Sequence, residues 1–331
     1  MHNLLYLLPL VAIGQRVLQN PTAVWLAAWL FTVSNWIGQD YFSPQGWYLF
    51  VYLVVLAVVL EWFAPDGPGL PARSPRRWTW PPVQGALVER AATPGRRSVL
   101  LALVLLLSLA VLGGHQLTPF ALALGTGAAV LVGWCRVRTL PVVLLLGTLL
   151  WTGYAATAYV AGHPETFSQI GAIASIFEQT VEQRLGGSPG HELVVQLRLL
   201  ETPVLWVLAA IGVLRLLRHR RRRIAWGLAA LALSSFPLLA TQSYGGEALM
   251  RIAFFALPFM ALLAAVGLAG PAAGPVRRRA LVPAVLVGAL LVALFPLTRY
   301  GNERMDWKTP VEVAGVQAMY AGAGRAPSSR R

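Results

Sequence analysis

Long apolar stretches separated by short polar connections repeat from one end of the chain to the other. They fall near Leu4–Val17, Thr22–Ile37, Gly46–Phe63, Ser98–Gly113, Pro119–Cys135, Leu140–Ala161, Pro203–Leu217, Ile224–Thr241, Ile252–Gly270 and Ala280–Leu297. A helix needs about 17 to 25 predominantly apolar residues to cross a bilayer, and several of these runs sit near the short end of that range. None shows the short alternating segments of a transmembrane β-barrel. The pattern predicts an all-α integral membrane protein with about ten transmembrane helices over residues 1–297. A polar tail, 298–331, is too short to fold as a domain. Many runs are rich in Gly and Ala, which let helices approach closely.

The connections sort by charge. Arg16, the arginines of the 64–97 loop, Arg136 and Arg138, Arg218 to Arg223, and Arg277 to Arg279 occupy every second connection. Loops rich in arginine stay on the cytoplasmic side, so the intervening connections are expected outside the cell membrane, together with both chain termini. Those connections carry most of the acids: Asp40, Glu165, Glu178, Glu182, Glu192, Glu201, Glu247, Glu303, Asp306 and Glu312. The first run lacks the basic start and small-residue cleavage site of a signal peptide. An outside start without a signal implies an upstream membrane segment that this sequence lacks. In the outer loop 162–202, Phe167, Ile170, Ile173, Phe177, Val181 and Leu185 recur at helical spacing, with Gly186 and Gly187 as a C-terminal stop. They predict an extracytoplasmic amphipathic helix lying in the interface or roofing a groove. A shorter helix from His191 to Glu201 should lead into the next span.

Composition narrows the class. Hydrophobic residues make up 56% of the 331 and charged residues only 12%, which no soluble domain shows. The net charge of +14 would suit a nucleic-acid partner if it were spread over a face. Bunched between apolar runs it instead fits anionic lipid head groups, so membrane lipids are expected partners and nucleic acid is not. Cys135 is the only cysteine, which rules out an intrachain disulfide and any cysteine metal site.

Four outer connections hold the candidate chemistry. In Trp36-Ile-Gly-Gln39-Asp40-Tyr-Phe-Ser-Pro-Gln45, a carboxylate at the lip of a hairpin needs a partner or a task. The alternative is a polar turn in an interfacial belt of Trp36, Tyr41, Phe42 and Trp47. In Gly114-His115-Gln116-Leu-Thr118-Pro119 a tight turn puts His115 and Gln116 at its apex. His115 is either an acid, base or ligand near neutral pH, or a hydrogen-bonded turn residue. In Ser243-Tyr244-Gly-Gly-Glu247-Ala-Leu-Met-Arg251, Glu247 and Arg251 are four apart and share a helix face. They form either a helix-end ion pair or a phosphate site in which the guanidinium grips two oxygens. Arg299-Tyr-Gly-Asn-Glu303-Arg304 places Arg299 against a lipid phosphate or outer head groups. No nucleotide loop, serine-hydrolase elbow or zinc signature is present.

Taken together and in this order, these four motifs resemble actinobacterial polytopic membrane proteins described as glycosyltransferase-like, of the GT-C type, over Leu4 to about Ala318. The resemblance implies transfer of a sugar from a polyprenyl-phosphate donor to a cell-envelope acceptor at the extracytoplasmic face. It implies a carboxylate base and cationic groups on the phosphate. The family's usual catalytic acid lies in a first outer loop that this sequence does not contain. Asp40 is then the base, or a second acid that positions the acceptor or a divalent metal. The implied catalytic set is Asp40, His115 and Glu247. Gln39, Gln45, Gln116, Tyr244, Arg251 and Arg299 are the implied substrate-binding set. Two other classes stay open: a lipid or polysaccharide transporter or flippase gated by Glu247 and Arg251, and a non-catalytic membrane scaffold subunit.

Overall fold

The computed structural model describes residues 2–18, 20–38, 43–64, 93–162, 171, 188–240, 247–272, 278–302 and 308–323. The described residues are helical, with no strand among them. The helices are α1 (Leu7–Val17), α2 (Pro21–Val33), α3 (Pro44–Trp62), α4 (Pro94–Gly114), α5 (Thr118–Leu131), α6 (Leu140–Leu150), α7 (Pro189–Arg218), α8 (Arg222–Leu233), α9 (Ala248–Ala269), α10 (Arg278–Tyr300) and α11 (Pro310–Ala323).

Local sequence sets where these helices begin. Asn20, Ser43, Thr93 and Ser188 each stand directly before a proline, and each side chain accepts a backbone N–H from the first turn of α2, α3, α4 and α7. A capping oxygen satisfies one of the donors that a helix start leaves open, and proline fits the first helical position because its missing N–H would have no partner there.

Among the described residues, five helical stretches are long and apolar enough to cross a membrane: Pro44–Trp62, Pro94–Gly114, Pro189–Arg218, Arg222–Ala240 and Ala248–Ala269. The expected count of about ten is therefore not reached. Other apolar runs yield shorter helices, Leu7–Val17, Pro21–Val33, Thr118–Leu131 and Leu140–Ala155, and in α10 the apolar part among the described residues is Ala284–Tyr300. Caps and breaks trim them. The first run breaks at Tyr6, the second stops at Ser34 and Asn35, and the sixth passes through a wider π turn at Trp151–Ala155. The helix expected from His191 to Glu201 is not separate. It runs unbroken through Pro203 into the following span as the thirty residues of α7, about 45 Å at the usual rise. The tail holds a helix of its own, α11, started by a capping box. Thr309 Oγ1 accepts the Glu312 N–H, and Glu312 Oε2 accepts the Thr309 N–H at 2.7 Å. The amphipathic helix expected over 164–187 and most of the 64–97 loop lie outside the described residues.

The core is built around α9, in which every residue from Phe254 to Leu268 is buried. A helix apolar on all sides belongs in the centre of a bundle, and α2, α7, α8 and α10 pack around it. The tightest approach is to α7. A Cβ on Gly212 would strike the Leu263 carbonyl oxygen, and one on Gly267 would strike the Leu208 carbonyl oxygen. Small residues at the crossing let the two backbones touch, as membrane helices do. The outward faces of α4 and α6 remain apolar, with Leu105, Leu106, Leu109, Leu146 and Leu149 exposed. That is the surface lipid would cover.

Cross-connections show that the helix ends are sorted. At one end, Arg16 Nε donates to the Leu60 carbonyl and pairs with Glu61 at 3.3 Å. At that same end Arg136 N–H donates to the Phe63 carbonyl, Arg223 donates to the Gly133 carbonyl, and Arg96 lies 4.1 Å over the Trp62 ring. Of the four candidate motifs, Gln45, His115, Arg251 and Arg299 stand at the opposite helix ends. In α3 and α4, the described arginine contacts and the candidate residues thus stand at opposite helix ends.

Candidate functional site

The site forms where the starts of α3 and α9 meet the end of α4. Ser43 caps α3 by accepting the Gly46 N–H at 3.0 Å, which fixes Gln45 in the first turn with its side chain buried. Glu247 stands at the N-cap of α9, and its carbonyl accepts the Arg251 N–H at 3.0 Å, so the two side chains rise on one face. Arg251 Nε and Nη2 both donate to Glu247 Oε2, at 3.0 and 2.6 Å. Nη1 donates to Gln45 Oε1 at 3.2 Å, and Gln45 Nε2 donates back to the Arg251 carbonyl at 2.9 Å. All three guanidinium nitrogens are engaged, and the plane of the group is fixed from two helices. A guanidinium held this way presents a rigid fork that matches the oxygens of a phosphate or carboxylate. The side chains are 18% exposed for Arg251 and 35% for Glu247, so neither is sealed in the core.

His115 closes the site from α4. Gly114 brings it there, because a Cβ at Gly114 would occupy the Tyr48 ring of α3. The imidazole is buried. Its Nδ1 accepts the Thr118 N–H at 3.2 Å and lies 2.7 Å from Thr118 Oγ1. That network assigns the ring proton to Nε2, which is buried with no hydrogen-bond partner. Burial first, and the charge of nearby Arg251 second, push the imidazole from 6.5 down to about 4. At neutral pH the ring is uncharged, and its N–H stays buried. Gln116 is half-buried in the same turn.

The remaining sequence candidates divide. Arg299, at the end of α10, is separated by 3.3 Å from where a Gly38 Cβ would sit and lies 5.3 Å over its neighbour Tyr300. It therefore borders the turn leading to residues 39–42. Gln39, Asp40 and Tyr244 lie outside the described residues. Among the described residues no three His, Cys, Asp or Glu side chains come together to hold a metal. A divalent ion at Asp40 would draw on residues beyond them.

A second polar cluster borders the first and was not singled out by the motifs. Trp36 Nε1 donates to Thr202 Oγ1 at 3.2 Å, and Thr202 Oγ1 donates to the Arg198 carbonyl at 2.9 Å. Arg198 Nε donates to the Thr298 carbonyl at 2.7 Å, with its guanidinium 5.2 Å over the Trp36 ring. Beneath them Glu201 is fully buried. Trp36 is thus tied to α7 and half-buried. In sequence Glu201 is one acid among ten outside the arginine loops. The only signal that sets it apart is its place two residues before an apolar run.

No protein-family profile, no curated protein and no solved structure matches the chain.

Proposed function

We propose that this chain is a multi-pass cell-membrane glycosyltransferase of the GT-C kind that works at the extracytoplasmic face. The observation that carries the reading is the Arg251 fork, braced by Glu247 and Gln45 at the bundle end away from the arginine turns. With those turns in the cytoplasm, the fork faces outward, where it meets the phosphate of a polyprenyl-phosphate sugar. The neutral His115 ring, packed in the turn behind the fork, adds no second positive charge next to the guanidinium.

In this reading an acceptor hydroxyl attacks the anomeric carbon. The carbon–oxygen bond to phosphate breaks, and its electron pair leaves on the polyprenyl phosphate. The hydroxyl proton passes to a carboxylate within hydrogen-bond reach, for which Asp40 is the proposed base. Arg251, with Arg299 bordering the Asp40 stretch, offsets the charge that develops on the leaving phosphate. Glu247 orients the fork, and with it the donor. The test is transfer of label from radiolabelled polyprenyl-phosphate sugars by membranes carrying the protein. Arg251→Gln should lower transfer by roughly a hundredfold or more. Wild-type membranes that move no label, or an Arg251→Gln variant as active as wild type, would end the proposal.

One observation favours a second reading, a lipid or polysaccharide transporter. Such a protein places ionisable groups inside the bundle, and Glu201 is buried there. Counterflow of labelled lipid-linked sugar across proteoliposomes, without any acceptor, separates it from the first.

A further inference from the structure

Glu201 occupies a position that a carboxylate does not take without a ligand. It has no exposed surface, and among the described residues no donor reaches either carboxyl oxygen in hydrogen-bond geometry; the Thr298 hydroxyl faces the carboxyl but gives its proton to the Leu294 and Phe295 carbonyls. It borders a cavity of about 30 Å³ shared with Ser34, Trp36, Thr202, Leu205, Leu257 and Met260. The hydroxyl of Ser34 is also buried and also lacks a partner. Buried polar groups are almost always paired, by protein or by ordered water. Unpartnered oxygens from α7 and from the end of α2, both on one water-sized space, mark a site whose occupant is small. A cavity of this size holds one or two waters, since about 10 to 15 Å³ is enough for the first.

The charged groups around it do not neutralise Glu201. From its own helix, Arg198 acts on the carboxyl from one turn away, but its Nε is committed to the Thr298 carbonyl and its guanidinium is stacked on Trp36. From α10, Thr298 faces the carboxyl, but its hydroxyl donates back to the Leu294 and Phe295 carbonyls, and Arg299 lies over Tyr300 and against Gly38. From α9 the lining is apolar, with Leu257 and Met260, and the charged Arg251 is paired with Glu247. Among the described residues, the segment after α2 contributes the uncharged Ser34, Trp36 and Ile37. A metal cation fits poorly: hard ions take about six or more oxygen ligands, and this space presents a carboxyl, two hydroxyls and hydrocarbon.

We propose that Glu201, Ser34 and Thr202 form a site for one exchangeable proton and an ordered water. The proton sits on the Glu201 carboxyl, which donates to the water, and the water bridges to Ser34. Release of that proton leaves a carboxylate that, among the described residues, has Arg198 as its close cation. Pairing with it would draw the guanidinium from the Thr298 carbonyl and the Trp36 ring. The site thereby ties protonation to the segment that leads from Trp36 toward residues 39–42. It stands whether or not Arg251 binds a phosphate.

The test is infrared spectroscopy of the purified full-length protein in lipid nanodiscs near pH 7. A carbonyl stretch of a protonated carboxylic acid should be present, shift in heavy water, disappear in Glu201→Gln and persist in the tail variant Glu312→Gln. Where Glu201→Gln does not accumulate, dicyclohexylcarbodiimide labelling of the wild type replaces it, because the reagent adds to protonated carboxyls. Adduct at Glu201 should fall as the pH is raised. Absence of the band, its survival in Glu201→Gln, or labelling at Glu201 that does not change with pH would overturn the proposal. Loss of the band or of the label on adding sodium would overturn it in favour of a metal cation.

Discussion

Acidification should weaken this protein through His115. In the folded chain the imidazole is buried, sits beside Arg251 and holds its proton only below about pH 4. In the unfolded chain it takes a proton near the ordinary 6.5. Between those values the unfolded state binds more protons than the folded state, so stability rises with pH. The contribution is complete above about pH 6.5 and is lost as pH falls toward 4. A displacement of this size is worth on the order of 3 kcal/mol, of which about 2 kcal/mol is gone by pH 5. The assay is unfolding in mixed micelles at a series of pH values between 7 and 4.5, for wild type and His115→Asn. Asparagine keeps an acceptor for the Thr118 N–H but does not titrate. The wild-type curve should fall more steeply with acid than the variant curve by about 2 kcal/mol at pH 5. Comparing slopes removes any general cost of the substitution. Arg251→Gln removes the smaller of the two causes, so its slope should lie between the other two. Equal slopes for wild type and His115→Asn, or a wild type that gains stability on acidification, would refute the burial and the charge assigned to this ring.

Two further outcomes test the frame that holds the site. Gly212→Leu drives a side chain into the Leu263 carbonyl of α9, a backbone atom that cannot rotate away. It should cost roughly 3 kcal/mol or more, read as lost folded yield and a lower Tm. In a Cys135→Ser background, single cysteines at Gly190 and Arg220, exposed residues at the first turn of α7 and just past its end, should label from opposite sides of a sealed vesicle. Labelling of both from one side would mean that α7 does not cross.

The helices and the two ends of the bundle were legible because their signals are local. Proline after a capping side chain marks the starts of α2, α3, α4 and α7, and arginine spacing marks one set of turns. The Glu247–Arg251 pairing follows from a four-residue spacing that any helix brings together. That Gln45 reaches Arg251 over 206 positions, and that His115 stands beside it, is consistent with shared placement between runs but was fixed only by packing. The number of spans was misread because apolar length is not helical length. Thr22–Ile37 is apolar enough, but Ser34 and Asn35 turn the chain after Val33. Glu201 was hidden for the opposite reason. Charge in a sequence reads as exposure, and only the packing of α2, α7, α9 and α10 buries this one.

The account rests most on Arg251 holding a lipid-borne phosphate, and binding tests that without requiring turnover. Native mass spectrometry of the full-length protein titrated with a polyprenyl phosphate should show a retained adduct in wild type. Arg251→Gln should weaken the adduct by at least about tenfold, as loss of a charged fork on phosphate would. Equal retention by the two proteins would contradict the central claim.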